Sequence, residues 1–252
     1  MAVDTLTLAV TMAVASGLVG CFAVMRRMSL AADPLSHVAL PGVGIALALR
    51  IDPIFGAAAL LFFGALLVWA LERRTRAATE TMIGIVFSAA LAIGSMMTSG
   101  QDLIEALFGT NSVLSTSELI FGLVGAVAVI VFIVTQRNSL IVMLVSPEVA
   151  RTAGINVGRL NLLYLEAFAL TIALGLRYLG VLLMGALIIV PAATAKGLAR
   201  NLTSMLYMAA GIAVLSTLVG TGAAAWLHRP SGPLIVMMAT AVFLLSLARE
   251  PA

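Results

Sequence analysis

Apolar residues run through this chain in blocks about as long as a membrane-crossing helix, separated by short polar connections. A helix rises 1.5 Å per residue and needs about 20 mainly apolar residues to cross a hydrocarbon core of about 30 Å. The pattern predicts spans near residues 6–25, 33–49, 54–71, 81–99, 119–135, 160–177, 179–195, 204–226 and 234–248. The second and the last are short, so eight or nine crossings fit. The connections are "RRMS" (26–29), "RIDP" (50–53), "ERRTRAATE" (72–80), a polar stretch at 100–118, "QRNS" with the following segment (136–159), "KGLARN" (196–201) and "HRPSGP" (228–233). None has room for a soluble domain. The expected fold is therefore all-α: one polytopic membrane domain over residues 1–252 with 8–9 transmembrane helices.

Composition agrees. Of 252 residues, 62% are hydrophobic and only 10% charged, against roughly a quarter charged in a soluble domain. Such a chain cannot cover a water-facing surface, so lipid is its solvent. The net charge of +3 comes from basic residues scattered between apolar blocks, which argues against nucleic acid and gives topology information instead. With the 26–29 connection in the cytoplasm, Arg26, Arg27, Arg73, Arg74, Arg76, Arg137, Arg151, Arg159, Lys196, Arg200 and Arg249 fall inside and only Arg50, Arg177 and Arg229 outside. This 11-to-3 split satisfies the positive-inside rule and predicts an external N-terminus and a cytoplasmic C-terminus. The first apolar block lacks a basic leader, so it is expected to be a span rather than a cleaved signal.

Small residues recur in the spans: Gly56 and Gly64, Gly84 with Ser88, Gly122 and Gly125, Gly175 and Gly180, Gly211, Gly220 and Gly222. They are expected to let helix backbones approach within the bundle. The single cysteine, Cys21, excludes an internal disulfide and reads as a packing residue. His228 reads as a solvated loop residue, and the 13 methionines receive no role. No phosphate-binding G-x-x-x-x-G-K-[ST] loop, H-E-x-x-H or G-x-S-x-G is present, so no catalytic role is expected.

Two stretches stand out. In "LAADPLSHVALPG" (30–42), Asp33 and His37 lie one helical turn apart on a common face. An Asp oxygen and a His nitrogen together suit zinc, manganese or ferrous iron. Two ligands do not close a site, but a two-fold homodimer would supply four. Against this, Asp33 followed by Pro34 also reads as a helix cap and first residue, and His37 as a packing histidine. A helix from Pro34 to Leu49 would be about 24 Å long, short of the bilayer core, which places its start within the membrane. Discontinuous helices of this kind hold the ion sites of many transporters. Pro41, Gly42 and Gly44 could loosen the same helix again.

The second stretch, "VSPEVARTAGINVGRL" (145–160), predicts a short surface helix with Ser146 as cap, Pro147 at its first position, Glu148 in its first turn and Gly154 as its stop. It reads either as a simple interfacial helix or as a docking element for a cytoplasmic partner. Glu166 and Arg177 belong to the sixth block, about 16 Å apart along a helix, too far to pair. Glu166 reads as a helix–helix bond or a path residue.

The chain resembles the permease subunit of bacterial ATP-binding-cassette importers for zinc, manganese and iron. "RRMSLAADPLSHVALPG" matches that family's G-D-x-L-S-H-x-x-L-P-G, with Ala32 in place of the glycine and Pro34 after the aspartate. "ALFGTNSVLS" (106–115), "SPEVARTAGI" (146–155), "LGVLLMGALIIVPAATAKGLAR" (179–200) and "SGPLIVM" (231–237) follow in the family's order. The resemblance implies a non-catalytic, multi-pass subunit of the bacterial inner (plasma) membrane. It implies a homodimer, or a pair of related permeases, on two cytoplasmic ATP-binding subunits, fed by an extracytoplasmic metal-binding protein. It places a transported divalent metal, not a permanently bound cofactor, at Asp33 and His37. It assigns ATPase coupling to Ser146, Pro147, Glu148, Val149, Ala150, Arg151 and Gly154. A secondary transporter and a non-transport membrane scaffold are the competing readings. The sequence does not choose among the metals, since an Asp/His set accepts several.

Overall fold

The structure is a computed structural model that describes residues 3–28, 32–51, 53–75, 78–97, 116–179 and 181–248. Among them lie eleven helices and no strand. In chain order these are α1 (Val3–Met25), α2 (Ala32–His37), α3 (Ala39–Ala48), α4 (Pro53–Arg74), α5 (Thr79–Met97) and α6 (Thr116–Val145). They continue with α7 (Pro147–Thr152), α8 (Val157–Leu179), α9 (Val181–Leu198), α10 (Leu202–Leu227) and α11 (Ser231–Leu247). The "ALFGTNSVLS" stretch, Arg76 and Arg249 lie outside the described residues, as does the side chain of Arg177.

Helix α1 is the axis of the bundle and packs against α6, α8, α9 and α10. Its middle is buried on every side, from Met12 and Ala13 through Val19, Cys21 and Phe22. Phe22 meets Tyr164 of α8 edge-on, and Tyr164 leans on Phe168, both with centroids 6.3 Å apart. The Tyr164 hydroxyl donates to the Val19 carbonyl at 3.1 Å. A polar tip at this depth has no water to bond, so a backbone partner offsets its desolvation.

The rim of the bundle is apolar in the opposite sense. Phe121, Val124, Val127, Val131 and Val134 of α6 and Phe55, Phe63 and Leu66 of α4 are exposed, as expected of lipid-facing surfaces. Among the described residues, five helices are long and apolar enough to cross a membrane: α1, α4, α6, α8 and α10; α5, α9 and α11 are shorter apolar helices. On α10, Tyr207 and Trp226 are both strongly exposed. They stand about 28 Å apart along the axis, the spacing of the two aromatic belts of a bilayer.

Two boundaries differ from the sequence expectation. The "QRNS" segment is no loop: α6 continues through it to Val145, 30 residues in all, or about 45 Å. Its end therefore projects past a hydrocarbon core of about 30 Å. The second block is two helices, with the break at Val38 rather than at Pro41 or the glycines. Pro41 is the cause. It has no N–H for the His37 carbonyl and its ring clashes with that carbonyl, so a new helix begins at Ala39 with the proline in its permissive first turn.

Some of the small residues pack as expected. Gly42 of α3 and Gly56 of α4 cross backbone to backbone, and a Cβ on either would collide with the carbonyl of the other. Gly84, Gly211 and Gly222, however, face open space in the single chain.

Candidate functional site

Helix α2 holds both candidate ligands. Ala32, buried, opens the helix; Asp33 follows in the first turn and His37 closes it. Asp33 is thus inside the helix rather than at its cap, and Ala32 with Pro34 is accommodated in the first turn, where proline costs no hydrogen bond. The Asp33 Oδ1 and His37 Nε2 atoms lie 3.8 Å apart. That is too long for a hydrogen bond and close to the separation of two ligands on one ion. Bond lengths of about 2.0–2.1 Å at a tetrahedral angle put two donor atoms about 3.4 Å apart, so a shift of a few tenths of an ångström would let both bind.

The surroundings fix the two side chains differently. The His37 ring is 22% exposed and lies 5.9 Å from the Phe87 ring of α5. Its Nδ1 is buried with no hydrogen-bond partner among the described residues. Asp33 is 60% exposed. Beside it lies Gly185 of α9, where an added Cβ would stand 3.8 Å from the Asp33 N, Cα and Cβ. No cluster of three or more His, Cys, Asp or Glu exists among the described residues. Among the described residues, Asp33 and His37 are therefore a candidate pair and not a closed site.

Helix α7 forms as its sequence requires. Ser146 is extended (φ −155°, ψ 110°) and its Oγ accepts from the Val149 N–H at 3.3 Å. Pro147 and Glu148 follow in the first turn. At the other end, Ile155 N–H donates to the Ala150 carbonyl at 2.9 Å and Gly154 N–H to that of Arg151 at 3.1 Å. With Gly154 at φ 79°, this is a Schellman stop, which needs a residue that tolerates the left-handed region. Ala150 is fully buried and anchors the helix, while Glu148, Val149, Arg151 and Thr152 are exposed.

A half-buried polar network joins the ends of α1, α4, α5 and α8, and its side chains read in sequence only as topology charges or not at all. Arg26, just past α1, donates through Nη2 to Asn161 Oδ1 of α8. Asn161 Nδ2 donates to Glu72 Oε2 of α4 at 2.8 Å, and Thr79 Oγ1 of α5 donates to Glu72 Oε1 at 2.8 Å. Arg26 and Glu72 are 4.0 Å apart, and the guanidinium stacks 5.1 Å above the Tyr164 ring. Four helix ends are thereby tied together by one carboxylate. A polar residue close to each end of several apolar blocks was the available signal; only the fold shows that they meet.

The remaining candidates separate. Glu166 is half-buried on α8 with no hydrogen bond or ion pair among the described residues, so the structure supplies no partner helix for it. Cys21 is buried, its Sγ 3.6 Å from the Met205 carbonyl oxygen, in keeping with a packing role. His228 is exposed and caps α10 in the left-handed conformation at φ 51°.

Relatives of known description agree with this architecture. The chain is 33% identical to the high-affinity zinc uptake system membrane protein ZnuB of Haemophilus influenzae, over 92% of this chain and 90% of that protein. It is 31% identical to the manganese transport system membrane protein MntC of Listeria monocytogenes, over 96% of this chain and 88% of that protein. Among solved structures it superposes on PsaBC from Streptococcus pneumoniae, captured with a Fab, at a TM-score of 0.81 and 27% identity, covering 97% of this chain and 90% of that one. The model of the ABC 3 transport family matches residues 1–250, and this chain is a member of that family.

Proposed function

We propose that this chain is the transmembrane permease subunit of an ATP-binding-cassette importer, and that its cargo is a divalent transition metal of the zinc, manganese and iron class. The carrying observation is the pair of ligand atoms on α2, 3.8 Å apart on a helix too short to span. The zinc and manganese systems to which the relatives belong support the same cargo class. The imidazole nitrogen and carboxylate oxygen are borderline and hard donors that suit these ions.

Two ligands bind weakly, and two copies around a two-fold axis bring four. Asp33 is 60% exposed in the single chain, so its carboxylate is accessible to a second copy. The two carboxylates would offset the charge of an ion that has shed part of its water. Few ligands in an open site suit passage, because conduction needs binding weak enough to release.

Helix α7 is the coupling element in this reading. Its exposed Pro147, Glu148, Val149, Arg151 and Thr152 form the face that a cytoplasmic ATP-binding subunit would grip, with Ser146 and Gly154 setting its ends and Ala150 its anchor. ATP hydrolysis belongs to that separate subunit, and an extracytoplasmic metal-binding protein delivers the ion. Counting the broken α2–α3 pair as one crossing, the described residues give nine spans in a bacterial inner membrane. The N-terminus is then outside, and the ends of α1, α4 and α6 and the start of α8 are on the cytoplasmic side.

The test is ion-by-ion uptake by the complex reconstituted with its ATPase. Asp33→Ser and His37→Ala should each lower metal uptake at least tenfold while dimer yield and ATPase docking stay near wild type. Serine is a good residue at a helix start, so wild-type uptake by Asp33→Ser would leave the carboxylate without a transport role.

A further inference from the structure

A cavity of about 1030 Å³ opens where the ends of α1, α4 and α6 meet α7 and the start of α8. Its charge is lopsided. Arg26, Arg27, Arg73, Arg151 and Arg159 line it, against one carboxylate, Glu72. Glu72 is already engaged by Asn161, Thr79 and Arg26. Among the described residues, Arg27, Arg73, Arg151 and Arg159 have no ion-pair partner, and all four are exposed. Five guanidinium groups around one open cleft repel each other, and a bound anion would relieve that repulsion.

Part of the lining is apolar: Met25, Met143, Leu144, Val157 and Leu162 from the ends of three helices, beside the polar Asn156 and Asn161. Trp69 stands between the two kinds of surface. Its Nε1 donates to the Gly158 carbonyl at 2.7 Å, and the Arg73 guanidinium stacks 4.8 Å from its ring. An indole with one wet and one apolar side is a residue of the headgroup layer. Arginines beside an apolar wall at this depth match a phosphate headgroup with the first carbons of its acyl chains, and basic pockets between membrane helices bind such headgroups.

We propose that this cleft binds the headgroup of an anionic phospholipid from the leaflet on the α7 side. Charge complementarity and the apolar half of the lining favour a lipid over an acidic protein segment. The cleft shares Pro147 and Arg151 with the face of α7 assigned to ATPase docking, and leaves the exposed Glu148 and Val149 outside it. Guanidinium forks take phosphate oxygens bidentately, while the arginine–tryptophan stack sets the depth of the headgroup. A lipid seated here touches α1, α4, α6 and the α7–α8 corner at once.

The experiment places the whole chain in phosphatidylcholine bilayers and measures the motionally restricted fraction of spin-labelled phosphatidylglycerol against spin-labelled phosphatidylcholine. The wild-type chain should prefer phosphatidylglycerol, and high salt should abolish the preference. Arg27→Gln, Arg73→Gln and Arg159→Gln should each lower it about fivefold, from about 1 kcal/mol per basic residue near an anionic surface. The triple Arg→Lys variant keeps the charge without the forks and should retain more of the preference than the corresponding triple Arg→Gln variant, which separates loss of charge from loss of fold. Equal restriction of the two lipids by the wild-type chain would overturn the proposal. So would an unchanged preference in the three glutamine variants. Loss of the preference when the ATPase subunit is added would make the cleft a protein contact and also overturn it.

Discussion

Removing the Glu72 side chain is the sharpest test of the polar network. In Glu72→Ala, Asn161 Nδ2 and Thr79 Oγ1 each lose an acceptor at 2.8 Å, and Arg26 loses the carboxylate 4.0 Å away. Arg26 Nη1 is already buried without a hydrogen-bond partner among the described residues, so the variant leaves an uncompensated cation beside an apolar core. Breaking a buried ion pair from one side costs about 3–5 kcal/mol. The Arg26 and Glu72 side chains are 16% and 24% exposed, and water that reaches them discounts the loss to about 2–4 kcal/mol. For a chain of this length that lowers the apparent melting temperature by about 5–12 °C, read by tryptophan fluorescence or by loss of monodisperse elution after heating in detergent. Glu72→Gln keeps one acceptor oxygen for Asn161 or Thr79 and should fall between the two. A Glu72→Ala protein that melts within about 1 °C of wild type would refute the network as a structural tie. So would a Glu72→Gln/Arg26→Gln double variant whose loss equals the sum of the two singles, since groups in contact should couple.

Other substitutions probe single features. Gly154→Ala meets no atom within 4 Å but must hold φ 79°, so it should cost about 1–2 kcal/mol, fray α7 and reduce ATPase co-purification; Gly154→Asn, which tolerates this conformation, should do less harm. Gly185→Ala fits, because its Cβ would stand 3.8 Å from Asp33, whereas Gly185→Leu should reach across Asp33 and lower metal uptake without lowering yield. Thr75→Cys and Arg229→Cys, in a Cys21→Ala background, should label from opposite membrane faces; labelling of both from one face would overturn the span order.

Local physics made much of this protein legible in its sequence. Long apolar blocks have one low-energy form in lipid, a helix whose backbone groups bond internally, so the all-helical architecture needed no tertiary information. The ends of α7 were equally local: Ser146, Pro147 and Gly154 each satisfy or permit one specific backbone geometry, and the helix forms between them. The turn that places Asp33 and His37 on one face was local as well. Tertiary structure decided what shares no stretch of chain. It brought Gly185 against Asp33 and closed Arg26, Glu72, Thr79 and Asn161 into one network. It also gathered five arginines from four segments into one cleft. Contacts of this kind depend on how helices cross, and the crossing is set by glycine pairs such as Gly42–Gly56, whose meeting no periodicity records. The same holds for α6, whose polar "QRNS" interrupts the apolar pattern yet not the helix, because past the bilayer core water tolerates what lipid would not.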